Sequence, residues 1–266
     1  MTKPPKLSIA LATFNGDKYL SSVLESFLSQ THQVDEVIIC DDGSTDNTIN
    51  IINNFRNSHH NLNLKIFQNH KNLGVTKNFS KTIKLCTGDL IFLADQDDVW
   101  EIDKVRVMVS EYTKGLSSYL ISDMKVMDSE GSIEPFTFSE YLENEHSISR
   151  SYFMNGCAVL ADRHFLLSCL PVPRGKAHDS WFAYCARRLK TRLFLPVPLM
   201  RYRISSTGLT SKKLLNIHST TKRSGEMKKS NNLITLIKTN RPFALILVKI
   251  NMHLHFLLVK IKWLVG

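Results

Sequence analysis

At 266 residues, 43% of them hydrophobic, the chain suffices for one large domain, or one domain with an appendage. Its five cysteines (Cys40, Cys86, Cys157, Cys169, Cys185) are odd in number and widely scattered, which argues against a zinc site and for a reduced compartment. The net charge of +10 sits entirely in residues 212–266, where eleven Lys and Arg face the single Glu226, while residues 1–211 balance 23 against 23. A neutral body therefore carries a basic tail.

Met1 to Lys6 is short and polar and leads directly into a strand, so no signal peptide is expected. Leu7 to Ala12 reads as a buried strand, Thr13 to Asp17 as a polar loop, and Tyr19, Leu20, Val23, Leu24, Phe27 and Leu28 as one face of a helix. A second strand, Glu36 to Cys40, runs into Asp41-Asp42-Gly43-Ser44-Thr45-Asp46, and a helix with Ile49, Ile51, Ile52 and Phe55 follows. A third strand, Leu64 to Phe67, precedes Asn72-Leu73-Gly74-Val75 and a helix near Asn78 to Leu85. Gly88-Asp89 leads into a fourth strand, Leu90 to Ala94. Short apolar strands alternating with helices specify an α/β domain with a mainly parallel central sheet flanked by helices. Polar residues gather after the strands, at the carboxyl edge where such sheets bind ligands. Neither GxGxxG nor GxxxxGK[ST] occurs, so the dinucleotide fingerprint and the P-loop do not apply.

The fourth strand ends in Asp95-Gln96-Asp97-Asp98. In extended backbone, residues two apart point to one side roughly 6 to 7 Å apart, so Asp95 and Asp97 can face one cavity. Like charges about 4 Å apart repel by ~4 kcal/mol even at an effective dielectric near 20. A site that keeps both ionised wants a cation, and an all-oxygen site suits Mg²⁺ or Mn²⁺. The same residues also fit an acidic strand-to-helix loop in which Asp98 or a neighbour caps the next helix.

The second half is less regular. Tyr119 to Ser122 is a predicted strand, Asp128 to His146 a polar excursion over the surface, and Tyr152 to Leu160 a strand through Asn155-Gly156-Cys157. Arg163 to Leu170 forms a short helix broken by Pro171 and Pro173, His178 opens a helix through Leu189, and Leu193 to Arg203 is extended and Pro-interrupted.

In series, the Ser8-to-Leu20 opening with Thr13-Phe14-Asn15, then Asp41-Asp42-Gly43-Ser44, Asn72-Leu73-Gly74, Asp95-Gln96-Asp97-Asp98 and His178-Asp179-Ser180-Trp181 resemble the family 2 inverting nucleotide-sugar glycosyltransferases of GT-A fold. The likeness covers about residues 6–205. It is strongest to the bacterial rhamnosyltransferase-type members that build surface polysaccharides. The resemblance implies a Rossmann-like nucleotide-sugar half, about 1–115, an acceptor half, about 116–211, and a C-terminal helical appendage at 212–266. It implies that Thr13, Phe14 and Asn15 line the nucleotide pocket, that Asp42 accepts a hydrogen bond from the base imide, and that Asn72, Gly74 and Asn78 sit beside the nucleotide. A turn role for Asp42 and a helix-start role for Asn78 stay open. Asp97 becomes the direct ligand of Mg²⁺ or Mn²⁺, Asp95 a ribose or outer metal contact, and Asp98 a structural residue.

By the same resemblance, Asp179 is the general base that takes a proton from an acceptor hydroxyl, and His178 and Trp181 shape the acceptor side. Read without the upstream motifs, Asp179 caps its helix and His178 is a surface residue. One departure stands out: relatives often carry Tyr-Arg-x-His after the base, and here Tyr202-Arg203-Ile204-Ser205 has serine in the last place. His218 could substitute, or Arg201 and Arg203 could hold the phosphates.

Residues 212–232 read as a linker, and Phe243 to Val265 as an apolar stretch interrupted by Lys249, His253, His255, Lys260 and Lys262. These charges are too frequent for a spanning helix. At about 100° per residue they fall into two nearly opposite polar stripes. The reading is a helix packed on the body or on a partner, with its basic approach near an anionic membrane; a soluble appendage or homodimer contact is the alternative. Nucleic acid is set aside for want of interleaved aromatics. The expected protein is an inverting glycosyltransferase on the cytoplasmic face of the membrane, taking a nucleotide-sugar donor, dTDP-rhamnose or a UDP-sugar, to a glycan or lipid-linked acceptor. The rival readings are a catalytically impaired sugar-binding module and a sugar nucleotidyltransferase.

Overall fold

The computed structural model describes residues 3–113, 117–146, 154–204 and 256–264. β1 (Leu7–Thr13), β2 (Glu36–Asp41), β3 (Leu64–Gln68) and β4 (Leu90–Ala94) pair in parallel in the order β3-β2-β1-β4. They are joined by α1 (Leu20–Leu28), α2 (Thr48–Ser58) and α3 (Val75–Leu85). β2 and β4 bury every side chain and β1 all but one, which is why their sequences are near-continuous apolar runs rather than alternating ones. α1 buries Leu20, Val23, Leu24 and Phe27, the helical spacing read from sequence.

Register fixes where the site lies. Thr13 pairs with Asp41, Asp41 with Gln68, and Leu11 with Ala94, so the loops after all four strands emerge at one edge.

The chain continues through β5 (Val99–Trp100), α4 (Lys104–Thr113), β6 (Tyr119–Met127), β7 (Ile133–Thr137), α5 (Phe138–His146) and a 3₁₀ turn at Gly156–Ala158. β8 (Val159–Asp162), α6 (Arg163–Ser168), α7 (His178–Leu189) and β9 (Arg192–Arg203) follow. These strands extend the same nine-stranded sheet in the order β4-β8-β6-β9-β5, with β7 paired to β6. β8 runs antiparallel to both β4 and β6, while β6 and β9 are parallel. One sheet therefore runs through both halves. Trp100 packs against Phe27 at 4.7 Å and Phe92 at 5.3 Å between ring centroids, which ties the short β5 to the first half.

Two expectations are corrected. Residues 128–146 do run largely over the surface, but as β7 and α5 rather than an irregular excursion, pinned where buried Phe138 meets Tyr202 at 5.2 Å and buried Ser139 donates to Asp123 through its backbone N–H and hydroxyl. The strand expected from Tyr152 starts only at Val159, after the 3₁₀ turn.

A C-terminal helix, α8 (256–264), lies on α6 and α7. Phe256 and Val259 are buried, Trp263 stacks on His164 and meets Phe165 edge-on, and Phe256 meets Tyr184 and the Arg188 guanidinium. Lys262 Nζ donates to the Leu170 carbonyl at 3.1 Å. The expected linker at 212–232 and His218 lie outside the described residues.

Candidate active site

The loop after β1 is held from three sides. The Thr13 hydroxyl donates to Asp41 at 2.9 Å. Asn15, in the left-handed region at φ 48°, receives the Thr45 N–H on its Oδ1 at 2.9 Å and gives its own N–H to the Ser44 hydroxyl. Asn tolerates that conformation better than other side-chain-bearing residues. Phe14 is left 43% exposed, an aromatic face open beside the strand ends. The Gln96 carboxamide pairs with the Phe14 backbone, accepting its N–H at 2.7 Å and donating to its carbonyl at 3.0 Å. The β1 loop and the acidic loop therefore move as one piece.

Asp42 is buried and already accepts three hydrogen bonds, from Asn69 Nδ2, Leu73 N and Gly74 N, each 2.8 Å. About one acceptor direction remains on its Oδ2 for a base imide. Gly74 takes φ 84° at the start of α3, and the Asn72 Oδ1 accepts its N–H. Asn78 is 2% exposed, with its amide spent on Cys40 O and Asn69 Nδ2. It shapes the 69–74 loop instead of presenting a group to a ligand, contrary to expectation.

In the acidic loop, burial and then the charges of Asp97 and Asp179 push the Asp95 carboxyl up to about 7, opposed by Lys104. Asp98 is 1% exposed; its Oδ1 accepts the Arg203 N–H at 2.9 Å and its Oδ2 has no partner. Burial, followed by Asp97 and Asp95, holds it well above the carboxylate range. Burial also raises Asp97, which the Arg203 guanidinium pulls back. Asp95, Asp98 and Cys157 can each bring a ligand atom within 4.8 Å of one another. The Cys157 thiol, however, is held protonated by burial and then by Asp98 and Asp95, and a thiol suits a hard cation poorly. The carboxylate oxygens of Asp95 and Asp97 have the chemistry that fits Mg²⁺ or Mn²⁺.

Asp179 lies half-buried in the first turn of α7, whose N-cap is Ala177, so Asp179 is not the cap. Its Oδ1 accepts the N–H and hydroxyl of Ser180. Asp179 adjoins Gly156, whose neighbour Cys157 lies with Asp95 and Asp98, so the expected base stands on the Asp95 side of the acidic loop. Gly156 joins them: a Cβ there would stand 3.2 Å from His178 Nε2 and 3.3 Å from Asp179 Cβ, while the next residue's carbonyl, Cys157 O, accepts Lys104 Nζ at 2.9 Å.

Neither expected acceptor contact lies at a surface. Trp181 is 1% exposed, donates to Cys169 O at 2.8 Å and stacks on Tyr184, so it is core. His178 is buried against Phe79 at 4.2 Å and Phe182, with neither ring nitrogen bonded. Both point inward because an N-terminal turn packed on α3 and the 3₁₀ turn leaves them no outward face.

Residues 8–160 match the family model described as Glycosyl transferase family 2. The chain belongs to glycosyltransferase family 2. Among relatives of this family 2 chain, the Escherichia coli UDP-Glc:alpha-D-GlcNAc-diphosphoundecaprenol beta-1,3-glucosyltransferase WfgD is 25% identical over 209 residues, 78% of this chain and 80% of that protein. The dTDP-rhamnosyl transferase RfbG of Shigella flexneri is 36% identical over 99 residues, 36% of this chain and 34% of that protein. Other curated relatives are matched over only 19% to 44% of their own length. Among solved structures, Staphylococcus aureus TarS 1-349 in complex with UDP-GlcNAc has a TM-score of 0.64 at 22% identity, covering 77% of this chain and 60% of that one. The mannosyltransferase PcManGT from Pyrobaculum calidifontis, in complex with GDP-Man and Mn2+, has a TM-score of 0.63 at 15% identity, covering 98% and 87%. The fold of the family 2 chain is GT-A.

Three residues of the site take roles that the sequence alone does not assign. Lys104 is fully buried, its Nζ 4.2 Å over the Trp100 ring, and burial lowers it to about 8 against the raising influence of Cys157, Asp98 and Asp95. Gln96 looks like a spacer between aspartates. Arg203 donates its Nε to Asp97 O and its Nη1 to Asp128 O and Ser129 O, and stacks over Tyr19 at 4.1 Å. Arg201, the other candidate for phosphate, is instead paired with Glu101 at 3.0 Å. Ser205 lies outside the described residues.

Proposed function

We propose that the chain is an inverting glycosyltransferase that moves a sugar from a nucleotide-diphosphate donor to a hydroxyl of a glycan or lipid-linked oligosaccharide in bacterial surface-polysaccharide synthesis. The observation that supports this reading is the 156–157 turn, with Gly156 against Asp179 and Cys157 against Asp95 and Asp98, beside the carboxyl edge of the parallel strands. Phe14, Asn15 and Asp42 receive the nucleotide, with the free direction of Asp42 Oδ2 accepting from the base. Asp95 and Asp97 would hold Mg²⁺ or Mn²⁺, which when bound would neutralise the diphosphate. Asp179 takes the acceptor's hydroxyl proton, and the oxygen attacks the anomeric carbon opposite the diphosphate as the carbon–oxygen bond to the nucleoside diphosphate breaks and that group leaves with the electron pair, inverting the centre with no covalent sugar intermediate. WfgD and RfbG, by their names, use UDP-glucose with a diphosphoundecaprenol acceptor and a dTDP-rhamnosyl donor, which supports those donor and acceptor classes. A lipid-linked acceptor also brings the chain to the inner face of the cytoplasmic membrane, where the basic tail meets anionic lipid.

The test is transfer from a panel of nucleotide sugars to a lipid-linked acceptor by Asp179→Asn and Asp97→Ala. Asp179→Asn should abolish transfer and keep donor affinity; wild-type transfer by this variant refutes the base. Asp97→Ala should weaken donor binding in the presence of Mn²⁺, and donor affinity indifferent to both this change and EDTA removes the metal from the mechanism.

A further inference from the structure

α8 has two apolar faces. With Phe256 taken as zero and about 100° per residue, inward-facing Phe256, Val259 and Trp263 lie within about 60° of one another, against α6 and α7. Leu257, Ile261, Leu264 and Leu258 cover the other side, from about 80° to about 200°, and are 53%, 50%, 71% and 52% exposed. Lys260, near 40°, and Lys262, near 240°, occupy the two seams between these faces, both exposed. Within α8, Lys260 and Lys262, one from each polar stripe, therefore separate a docked face from an outward one.

We propose that the outward face of α8 is a membrane-docking surface that lies among the headgroups of an anionic leaflet. The inference rests on the membrane-facing reading above and assigns it to four side chains. An apolar stripe edged by lysines on both flanks matches that boundary, because lysine stems cover apolar surface; the Lys260 ammonium reaches the headgroup phosphates, while Lys262, its Nζ held on the Leu170 carbonyl, lines the other seam with its stem. The charge is complementary in sign: residues 212–266 hold eleven Lys and Arg and one Glu. No helix among the described residues is long and apolar enough to cross a membrane, so α8 lies on the surface rather than through it. Its grip on Tyr184 and Arg188 also places the anchor on the helix that carries Asp179. At 1.5 Å per residue these contacts are about 8 and 14 Å along α7 from the expected base, close enough to present it to a sugar carried on a membrane lipid.

The experiment is co-sedimentation of the full chain with phosphatidylcholine vesicles, with and without phosphatidylglycerol. The wild type should bind the mixed vesicles and bind pure phosphatidylcholine weakly. Leu257→Asp with Ile261→Asp should cut partitioning at least ~10-fold, with melting temperature and nucleotide-diphosphate affinity unchanged. A second variant, Lys260→Gln, should lower binding to the mixed vesicles only. Wild-type partitioning by the double variant overturns the proposal, as does a dimer that this variant splits while vesicle binding persists. Vesicle binding needs no turnover, so an inactive chain that still binds leaves the docking face standing and rejects the enzymatic reading alone.

Discussion

Gln96 and Gly16 offer a sharp test of how the donor site is held together. The Gln96 carboxamide makes two hydrogen bonds to the Phe14 backbone, at 2.7 and 3.0 Å, and it sits where Gly16 has no side chain: a Cβ there would fall 2.5 Å from Gln96 Oε1. In Gly16→Ala the flexible amide can swing aside, but only by giving up both bonds. Each is worth about 1 kcal/mol, less where water can replace the partner, so the variant should lose roughly 1 to 2 kcal/mol of loop organisation. Gln96→Ala should lose the same amount by the same route. Once Gln96 is truncated the clash is gone, so adding Gly16→Ala should cost almost nothing further. The double variant should then resemble either single one, with a coupling energy of roughly 1 to 2 kcal/mol. Titration with nucleoside diphosphate should read this as about 5- to 30-fold weaker binding for all three variants. Additive losses in the double variant, or single variants that bind as the wild type, would refute the claim that this contact joins the β1 loop to the acidic loop.

Asp42→Ala leaves half-buried Leu73 N without its partner and takes one acceptor from Asn69 Nδ2, while Asn69 Nδ2 keeps Asn78 Oδ1 and Gly74 N keeps Asn72 Oδ1. It should therefore destabilise the fold by about 1 to 2 kcal/mol in urea unfolding, besides losing nucleotide affinity. His178 is held down to about 4, first by burial and against the opposing charge of Asp179. Its folded value lies below the unfolded 6.5, so stability should be fully present above about pH 6.5 and fall as the pH drops toward 4, the unfolded chain taking the proton first. His178→Phe should flatten that slope in melts across the same range; an unchanged slope would remove His178 as its source.

The parallel half of the fold was legible because its strands are buried on both faces and its helices carry one apolar stripe each, so periodicity alone bounds them. Phe138 hid α5 and β7 in a stretch whose polar residues dominate the count, since one aromatic buried against distant Tyr202, with half-buried Phe136 and Tyr141 stacked on each other, leaves no clear local period. The acidic loop and Asp179 were legible as types in order; what relates them in space is the 156–157 turn, which touches both and has no counterpart in the motifs. Trp181 and His178 misled because an aromatic and an imidazole beside a carboxylate resemble a sugar platform. What decided their direction was packing on Phe79 and Cys169 O, and nothing within the motif encodes it.

Lys104 and Arg203 show why charge is the hardest part of such a site to read. By type both belong on a surface, and their partners lie far away in sequence: Cys157 O for Lys104, Asp97 O and the Asp98 carboxylate for Arg203. Yet three carboxylates within four positions cannot be carried into a half-buried loop without positive charge nearby, because desolvation would otherwise neutralise them. The fold supplies a lysine from below, over Trp100, and an arginine from the last strand, over Tyr19. Arg203 spends its Nε and Nη1 on the carbonyls of Asp97, Asp128 and Ser129, so its first task is to fix the acidic loop. Any hold on a diphosphate falls to what remains of its guanidinium. The serine at 205 is therefore not compensated by a free arginine at 201 or 203: one is paired with Glu101 and the other is building the loop that carries the carboxylates.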